Sequence, residues 1–247
     1  MRAQPWRCSR LPAIGCTARA AGGDDEPARP LCCGRTFLAS GLVDEAKVEA
    51  RRTLAALRPY VARGLPVIGL EPSCLYTLRD EFKSMLPGAD SDALAARAVL
   101  FEEFLAAEHR AGRLKLKLFP LPQKKALLHG HCHQKAFDAM PQVAQVLGLV
   151  PDLKVETVES SCCGMAGAFG YETGHYQISM NMAEAALLPA LRKADADTLL
   201  VADGTSCRHQ IHDGLATGEA RAPQAARREA VHVAQVLARA LGAPADR

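Results

Sequence analysis

The feature that most constrains this chain is a cysteine pattern that occurs twice. The motif LCCG at 31–34 precedes a predicted helix and strand and then SC at 73–74. The motif SCCG at 161–164 precedes the same elements and then SC at 206–207. Because the two copies have nearly equal lengths, one supersecondary unit is repeated with its cysteines in matching places. Alternating strands and helices predict an α/β fold with parallel sheets. We expect two pseudo-symmetric, Rossmann-like lobes, each with a Cys-Cys-Gly loop.

Composition narrows the function. With 247 residues, 49% apolar and 23% charged, the chain is long enough to bury a core. A net charge of +3 and an aromatic content of 5% argue against nucleic-acid binding. No apolar run is long enough to span a bilayer and no secretory signal is recognisable, so we expect a cytoplasmic protein. Nine cysteines in such a chain indicate a metal or redox function rather than a disulfide framework.

Hydrophobic periodicity defines the predicted domains. Residues 1–30, which include Cys8 and Cys16, show no periodicity and are expected to form a loose leader. Residues 31–122 form the first lobe and residues 123–245 the second. The predicted elements are helix 43–60, strand 66–70, helix 90–110 and strand 114–119 in the first lobe, and strand 125–128, helix 134–147, strand 153–158, helix 180–191, strand 198–202 and helix 231–241 in the second.

Four cysteines of the second lobe follow three predicted strands. In parallel α/β sheets, sites form beyond the carboxyl ends of the strands, since these ends share one edge. We therefore expect the four thiols to lie within about 7 Å of one another, close enough to share metal ions. Single cysteines are often buried and inert, but a repeated vicinal pair argues against that interpretation. The candidate ligands are Cys132, Cys162, Cys163 and Cys207 in the second lobe and, as a looser group, Cys32, Cys33 and Cys74 in the first.

Other polar residues lie close to these cysteines. His131 and His133 flank Cys132, either as ligands or as groups that orient the turn. Glu71 and Asp203 precede the downstream cysteine of each lobe, either as helix caps or as hydrogen-bond partners of the site. The glycine after each Cys-Cys pair is expected to let the backbone approach an ion or cluster closely.

Five stretches together resemble the cysteine-rich CCG domain family, which includes a cysteine-rich subunit of heterodisulfide reductase and the iron–sulfur subunit of glycolate oxidase. They are LCCGRTFLASGLVDEA, GLEPSCLYTLRDEF, LHGHCHQKA, SSCCGMAGAFGYE and HYQISMNMAEAALLPALR. The resemblance covers about residues 30–241. The chain looks most like the C-terminal part of bacterial FAD-linked oxidases fused to iron–sulfur modules, of the D-lactate and D-2-hydroxyglutarate dehydrogenase type.

This resemblance implies an iron–sulfur cluster, of the 4Fe-4S type, that passes electrons from a flavin-bound 2-hydroxy acid oxidation to an acceptor. By position, the four cysteines of the second lobe match the second motif of the family and those of the first lobe match the first. Two features depart from the family pattern. A further cysteine in a Cys-x-x-Cys spacing is missing after both Cys74 and Cys207, and the first motif lacks an upstream cysteine on a strand.

The resemblance also implies partners. FAD would lie on a flavoprotein domain or subunit, and a ferredoxin-type iron–sulfur module would accompany it. The resemblance allows a peripheral association with a respiratory chain at the inner membrane. Since we recognise neither a flavin site nor a ferredoxin motif here, we expect a C-terminal portion or subunit of a larger oxidoreductase that is inactive alone.

Two other functions fit the same residues. The chain could be a zinc-stabilised scaffold that docks a flavoprotein and carries no electrons. It could also be a thiol–disulfide module in which Cys32-Cys33 or Cys162-Cys163 cycles, although a vicinal disulfide closes a strained ring. The visible spectrum and the metal content of anaerobically purified protein distinguish all three.

Overall fold

A computed structural model describes residues 30–217 and 228–242. The predicted leader, apart from Pro30, lies outside the described residues, together with Cys8 and Cys16. Within the described part the chain has the predicted α/β character, with two separate parallel sheets. No helix in this part is both long enough and apolar enough to cross a membrane.

The elements alternate along the chain. The strands are β1 (Val67–Gly69), β2 (Ala98–Leu100), β3 (Lys125–His129), β4 (Lys154–Thr157), β5 (Leu199–Ala202) and β6 (Ala230–Val231). The helices are α1 (Arg35–Ala39), α2 (Val43–Val61), α3 (Pro72–Arg79), α4 (Glu81–Met85), α5 (Ala89–Arg97), α6 (Phe101–Arg110), α7 (Cys132–Ala136), α8 (Met140–Leu147), α9 (Tyr176–Glu184), α10 (Leu187–Lys193), α11 (Thr205–Thr217) and α12 (Val233–Ala240).

The larger sheet contains four parallel strands in the order β4-β3-β5-β6. In the sheet, β4 lies on one side of β3, whereas β5 and β6, which come later in the chain, lie on the other side. The strand order therefore reverses between β3 and β5. Such a reversal opens a crevice beyond the carboxyl ends of the two strands, where α/β proteins place their sites. Cys132 follows β3 and Cys207 follows β5, so both cysteines lie at this crevice.

Apolar helices cover both faces of this sheet. One cluster of buried residues joins Leu128 and Val201 to α8 and α12. A second cluster joins Leu127 and Leu200 to α10 and α11, and it includes Cys163 and Cys207. The candidate site therefore lies at the end of one apolar layer, on the α10 and α11 side.

The smaller sheet contains two strands among the described residues, β1 and β2, paired in parallel with Val67 opposite Ala98. Its own core packs α2, α3 and α5 around Tyr76 and Phe82. Because the two sheets differ in size within the described part, the expected pseudo-symmetry of two equal lobes is not confirmed.

Several predicted elements are interrupted. The predicted helix 90–110 contains β2, because Ala98–Leu100 extends to pair with β1. The predicted helix 134–147 breaks where Asp138 adopts a φ of 54°, and the predicted helix 180–191 breaks between α9 and α10. The predicted strand 114–119 is wrong. This segment is irregular, and Phe119 N–H donates to Ala240 O at the end of α12 rather than to a neighbouring strand.

Candidate metal centre

The structure brings the four cysteines of the second lobe into one continuous set of contacts, here called the second thiol group. Cys132 begins α7, Cys162 and Cys163 lie in the loop after β4, and Cys207 lies in the first turn of α11. Cys132 lies beside Cys162, Cys162 beside Cys163, and Cys163 beside Cys207, each close enough to shift the pKa of the next thiol. Three separate strand ends thus supply one row of thiols.

The pKa values in this row alternate. Hydrogen bonds to Cys162, together with burial, raise the pKa of Cys132 and Cys163 above the ordinary thiol range. Interactions with Cys132 and Cys163 hold the pKa of Cys162 well below that range. The interaction with Cys163 also lowers the pKa of Cys207, although burial opposes this shift. The four thiols therefore affect one another's ionisation, and metal binding would release the protons that they hold.

The row runs from the surface inward. Cys163 and Cys207 are 2% and 1% exposed, whereas Cys132 and Cys162 are half-buried. A metal held here would therefore be shielded from water on one side and accessible on the other. This arrangement suits a group that exchanges electrons with a docked partner.

His129, the last residue of β3, also faces this row, and the sequence prediction missed it. One nitrogen of its ring and the sulfurs of Cys163 and Cys207 all lie within 4.8 Å of one another. The ring is 1% exposed, and its Nδ1 is 2.9 Å from Ser160 Oγ. Strand alternation could have found it, because Leu127, two residues earlier, packs on the same cluster as the two cysteines.

The cysteines of the first lobe form a smaller set, here called the first thiol group. The thiols of Cys33 and Cys74 are hydrogen-bonded to each other, and Cys32 is close enough to act on Cys74 electrostatically. The hydrogen bond with Cys74 lowers the pKa of Cys33 to about 7, against the effect of burial, and the same bond raises the pKa of Cys74. Cys74 is exposed, so this group is more open to solvent than the second.

Both Cys-Cys-Gly turns have the same local geometry. Gly34 and Gly164 have φ values of 80° and 93°, and each donates its N–H to the sulfur of the first cysteine of its pair. A Cβ on Gly164 would lie 2.1 Å from Ser179 O, and one on Gly34 would lie 2.8 Å from Ala46 O. In the described structure, these two glycines allow left-handed backbone and close packing on the following helices. Their expected closeness to an ion or cluster stays a prediction.

The two flanking histidines have different surroundings. His131 caps α7, since its Nδ1 accepts from His133 N–H at 3.1 Å and its own N–H donates to Gln134. This contact orients the turn that carries Cys132. His133 stacks on His131, and burial lowers its pKa to about 4, so its ring is neutral at physiological pH. Its Nδ1 is buried and has no hydrogen-bond partner.

Glu71 joins the helices that carry the downstream cysteines of the two lobes. One carboxylate oxygen accepts from Ser73 Oγ at 2.7 Å and caps α3, which contains Cys74. The other accepts from both N–H and Oγ1 of Thr205, each at 2.8 Å, at the start of α11, which contains Cys207. Both sequence interpretations of Glu71 therefore apply, because it is a helix cap and also positions the site.

We expect Glu71→Gln to lower the free energy of unfolding by about 2 kcal/mol at neutral pH, because two helix N-termini lose a charged acceptor. Burial opposes ionisation of Glu71, but hydrogen bonds from Thr205 and Ser73 outweigh it and lower its pKa. A carboxyl with a lowered folded-state pKa stabilises the folded protein fully at pH values above its unfolded-state pKa. This stabilisation disappears as the pH falls through the folded-state pKa, which is the lower of the two.

Denaturant unfolding of both proteins from neutral pH to about pH 3 measures this effect. The difference in the free energy of unfolding between wild type and Glu71→Gln should be constant down to about pH 5 and become smaller below that pH. Glu45→Gln, at an exposed carboxylate in the first turn of α2, is the matched control and should change little. A difference of the same size at all pH values would contradict the assignment.

A second set of close candidate ligands is Glu102, Asp203 and His232. Both ring nitrogens of His232 are already used, because Nδ1 accepts from Ala234 N–H and Nε2 lies 2.8 Å from Leu70 O. Glu102 is fully buried without a hydrogen-bond partner, and burial with the nearby charge of Asp203 raises its pKa well above the ordinary range. A carboxyl whose burial opposes ionisation and an imidazole with both nitrogens occupied do not form a convincing metal site.

The second thiol group offers donors that could hold either one zinc ion or a cluster of several metal ions. A single zinc would hold four ligands at about 2.0–2.3 Å around one point. Among the described residues, only two of these four thiols, Cys163 and Cys207, lie within 4.8 Å both of each other and of a ring nitrogen of His129. Cys132 and Cys162 extend the row beyond that neighbourhood. Thiolates spread in this way fit an iron–sulfur cluster, whose irons are each bound separately.

Comparison with known families agrees with these observations. The profile of the CCG family, described as a cysteine-rich domain, matches residues 126–212. This range runs from β3 into α11 and contains the whole second thiol group. The chain therefore contains a cysteine-rich domain of the CCG family, and the resemblance seen in the sequence is confirmed.

Individual relatives extend the similarity into the first lobe. One subunit of the anaerobic glycerol-3-phosphate dehydrogenase of Escherichia coli (strain K12) is 31% identical over 73% of this chain and 44% of its own length. D-2-hydroxyglutarate dehydrogenase from the same strain is 26% identical over 75% of this chain and 18% of its own length. Lactate utilization protein A 2 from Bacillus cereus (strain Q1) is 25% identical over 88% of this chain and 86% of its own length. The chain thus spans less than half the length of the first two relatives.

Proposed function

We propose that this chain is an iron–sulfur electron-transfer module of an FAD-linked oxidoreductase, of the type that oxidises 2-hydroxy acids. The observation that carries the proposal is the row of four thiols at the carboxyl ends of β3, β4 and β5. Cys132, Cys162, Cys163 and Cys207 would hold the cluster, of the 4Fe-4S type. When bound, the cluster takes up one electron and passes it on.

The surroundings of the row support this function. Cys163 and Cys207 anchor the buried end in the apolar layer of the sheet, and Cys132 and Cys162 bring the other end to the surface. Lys135 Nζ contacts the carbonyl oxygens of Ser160 and Ser161 and fixes the loop that carries the vicinal pair. A rigid site on strand ends keeps donor and acceptor geometry constant between redox states.

The similarity to dehydrogenases supports the partner assignment. Two of the relatives are named as dehydrogenases or their subunits, and the third as a lactate utilization protein. We infer that a flavoprotein domain or subunit carries FAD and oxidises the substrate, and that a ferredoxin-type module accompanies it. The first thiol group, with Cys32, Cys33 and Cys74, would be a second cofactor site. Peripheral association with a respiratory chain is part of this proposal.

A zinc-stabilised docking scaffold is the alternative. It is favoured by the compact set of His129, Cys163 and Cys207, which could hold one ion. This alternative leaves Cys132 and Cys162 without a common ion, and for that reason we prefer the cluster.

Stopped-flow reduction by photoreduced FMN tests the electron-transfer function, with free flavin as the probe for the partner. We expect flavin oxidation to coincide with bleaching of the visible absorption of the anaerobic protein. D-lactate, D-2-hydroxyglutarate and glycerol-3-phosphate should cause no bleaching, because we recognise no flavin or nicotinamide site among the described residues to accept a hydride. Bleaching by a substrate alone, or none by reduced flavin, would contradict the proposal.

A further inference from the structure

His129 lies on the face of β3 that is turned toward the second thiol group. Leu127 and His129 are two residues apart in one strand, so their side chains point to the same face. Leu127 packs in the cluster that contains Cys163 and Cys207. The backbone register of β3, paired to β5 with His129 opposite Ala202, fixes the imidazole at the carboxyl edge of the sheet.

Ser160 fixes the orientation of the imidazole ring. Its Oγ is 2.9 Å from His129 Nδ1, and Lys135 holds the backbone of Ser160 in turn. A histidine that binds metal through one nitrogen usually donates its other N–H to an oxygen, which sets the tautomer. In the tautomer that donates Nδ1–H to Ser160 Oγ, the lone pair of Nε2 is free for a metal ion.

Among the described residues, that second nitrogen makes no hydrogen bond of ordinary geometry, and His129 is only 1% exposed. A buried polar atom without such a bond is costly, so its position calls for a binding partner. The imidazole is close enough to Cys207 to help hold down the pKa of that thiol. One ring nitrogen of His129 lies within 4.8 Å of the sulfurs of both Cys163 and Cys207, and with Nδ1 at Ser160 it is Nε2 that remains to face them.

We propose that His129 Nε2 is a ligand of the metal centre at the second thiol group, beside the buried cysteines Cys163 and Cys207. This assignment rests on the proposed function, because it assumes iron at this site. A neutral imidazole adds no negative charge, whereas a thiolate adds one. Replacing a thiolate by imidazole in an iron–sulfur centre raises its reduction potential. The site would therefore be a thiolate centre with one nitrogen ligand.

Pulsed EPR of the anaerobically purified, dithionite-reduced full chain tests this ligation. We expect a strong nitrogen hyperfine coupling that changes when the protein is made with ¹⁵N-labelled histidine. His129→Gln should lose the coupling. His133→Gln is the matched control, since it alters a half-buried histidine next to Cys132 that has no place in the proposed ligand set, and it should retain the coupling.

A second variant covers the case in which His129→Gln does not fold. His129→Cys offers a thiolate at the same position, so it should retain iron, lose the nitrogen coupling and shift the midpoint potential downward. The measurement on labelled wild type needs no variant at all.

The possible results distinguish a failure of the His129 assignment from a failure of the proposed function. A wild-type cluster without strong nitrogen coupling, or with the weak coupling of a hydrogen-bond donor, overturns the His129 assignment and leaves the proposed function intact. Coupling that persists in His129→Gln also overturns it. A wild-type protein that assembles no iron cluster overturns the proposed function and this assignment together.

Discussion

Cys163→Ser is expected to abolish cofactor binding at the second thiol group. Cys163 is the central member of the row, in contact with Cys162 and Cys207 and close to a ring nitrogen of His129. A serine hydroxyl does not ionise at neutral pH and cannot replace a buried thiolate. We expect a loss of metal affinity larger than the roughly 10–100-fold effect of changing a group that only supports a ligand. Because metal binding is coupled to folding, the variant should also be less stable.

Iron and sulfide analysis with far-ultraviolet circular dichroism measures both effects. Cys74→Ser is the matched control, because Cys74 is an exposed member of the first thiol group. It should leave the cluster of the second group in place. Full retention of iron and sulfide in Cys163→Ser would show that the site is assigned to the wrong thiols. A loss of iron in Cys74→Ser would instead report a cofactor at the first thiol group.

Gly164→Ala is expected to be strongly destabilising, through steric collision more than through backbone strain. Both Gly164, at φ 93°, and Gly41, at φ 75°, adopt left-handed backbone. A Cβ at Gly164 would lie 2.1 Å from Ser179 O, whereas one at Gly41 would meet nothing within 4 Å. Gly41→Ala should therefore cost only about 1–2 kcal/mol for the conformation. Gly164→Ala should cost about 1–3 kcal/mol more, because the contacted atom is backbone and cannot rotate away.

Chemical denaturation of the two variants beside wild type tests this difference. Both glycines have left-handed backbone, so both alanine variants carry the backbone strain. Only the Gly164 variant adds a collision, so the difference between the two variants measures the collision alone. The Gly164 variant should also bind less metal, because Cys162 and Cys163 directly precede the displaced residue. Equal destabilisation of the two variants would contradict the steric account.

The sequence predicted the elements that depend on local periodicity. The strands at 66–70, 125–128, 153–158 and 198–202 all occur, as does the long helix α2, because each has an apolar pattern of its own. β2 was missed because three apolar residues between two amphipathic helices show no strand period of their own. Their extended conformation depends on pairing with β1, which is distant in sequence.

In the candidate site, too, features with a local sequence pattern were predicted, and features that depend on distant parts of the chain were not. The grouping of the cysteines could be predicted because parallel strands place their carboxyl ends at one edge. His129 was missed because the predicted strand ended at Leu128, one residue too early to assign the histidine a face. The role of Glu71 across two lobes could not be predicted, since no sequence pattern indicates that α3 and α11 begin side by side.

Iron and acid-labile sulfide content, measured together with the visible spectrum of the anaerobically purified full chain, tests the central claim most directly. The account predicts brown protein that contains iron and sulfide in comparable amounts and loses both in Cys163→Ser. Colourless protein that contains zinc without sulfide would contradict it and favour the docking scaffold instead.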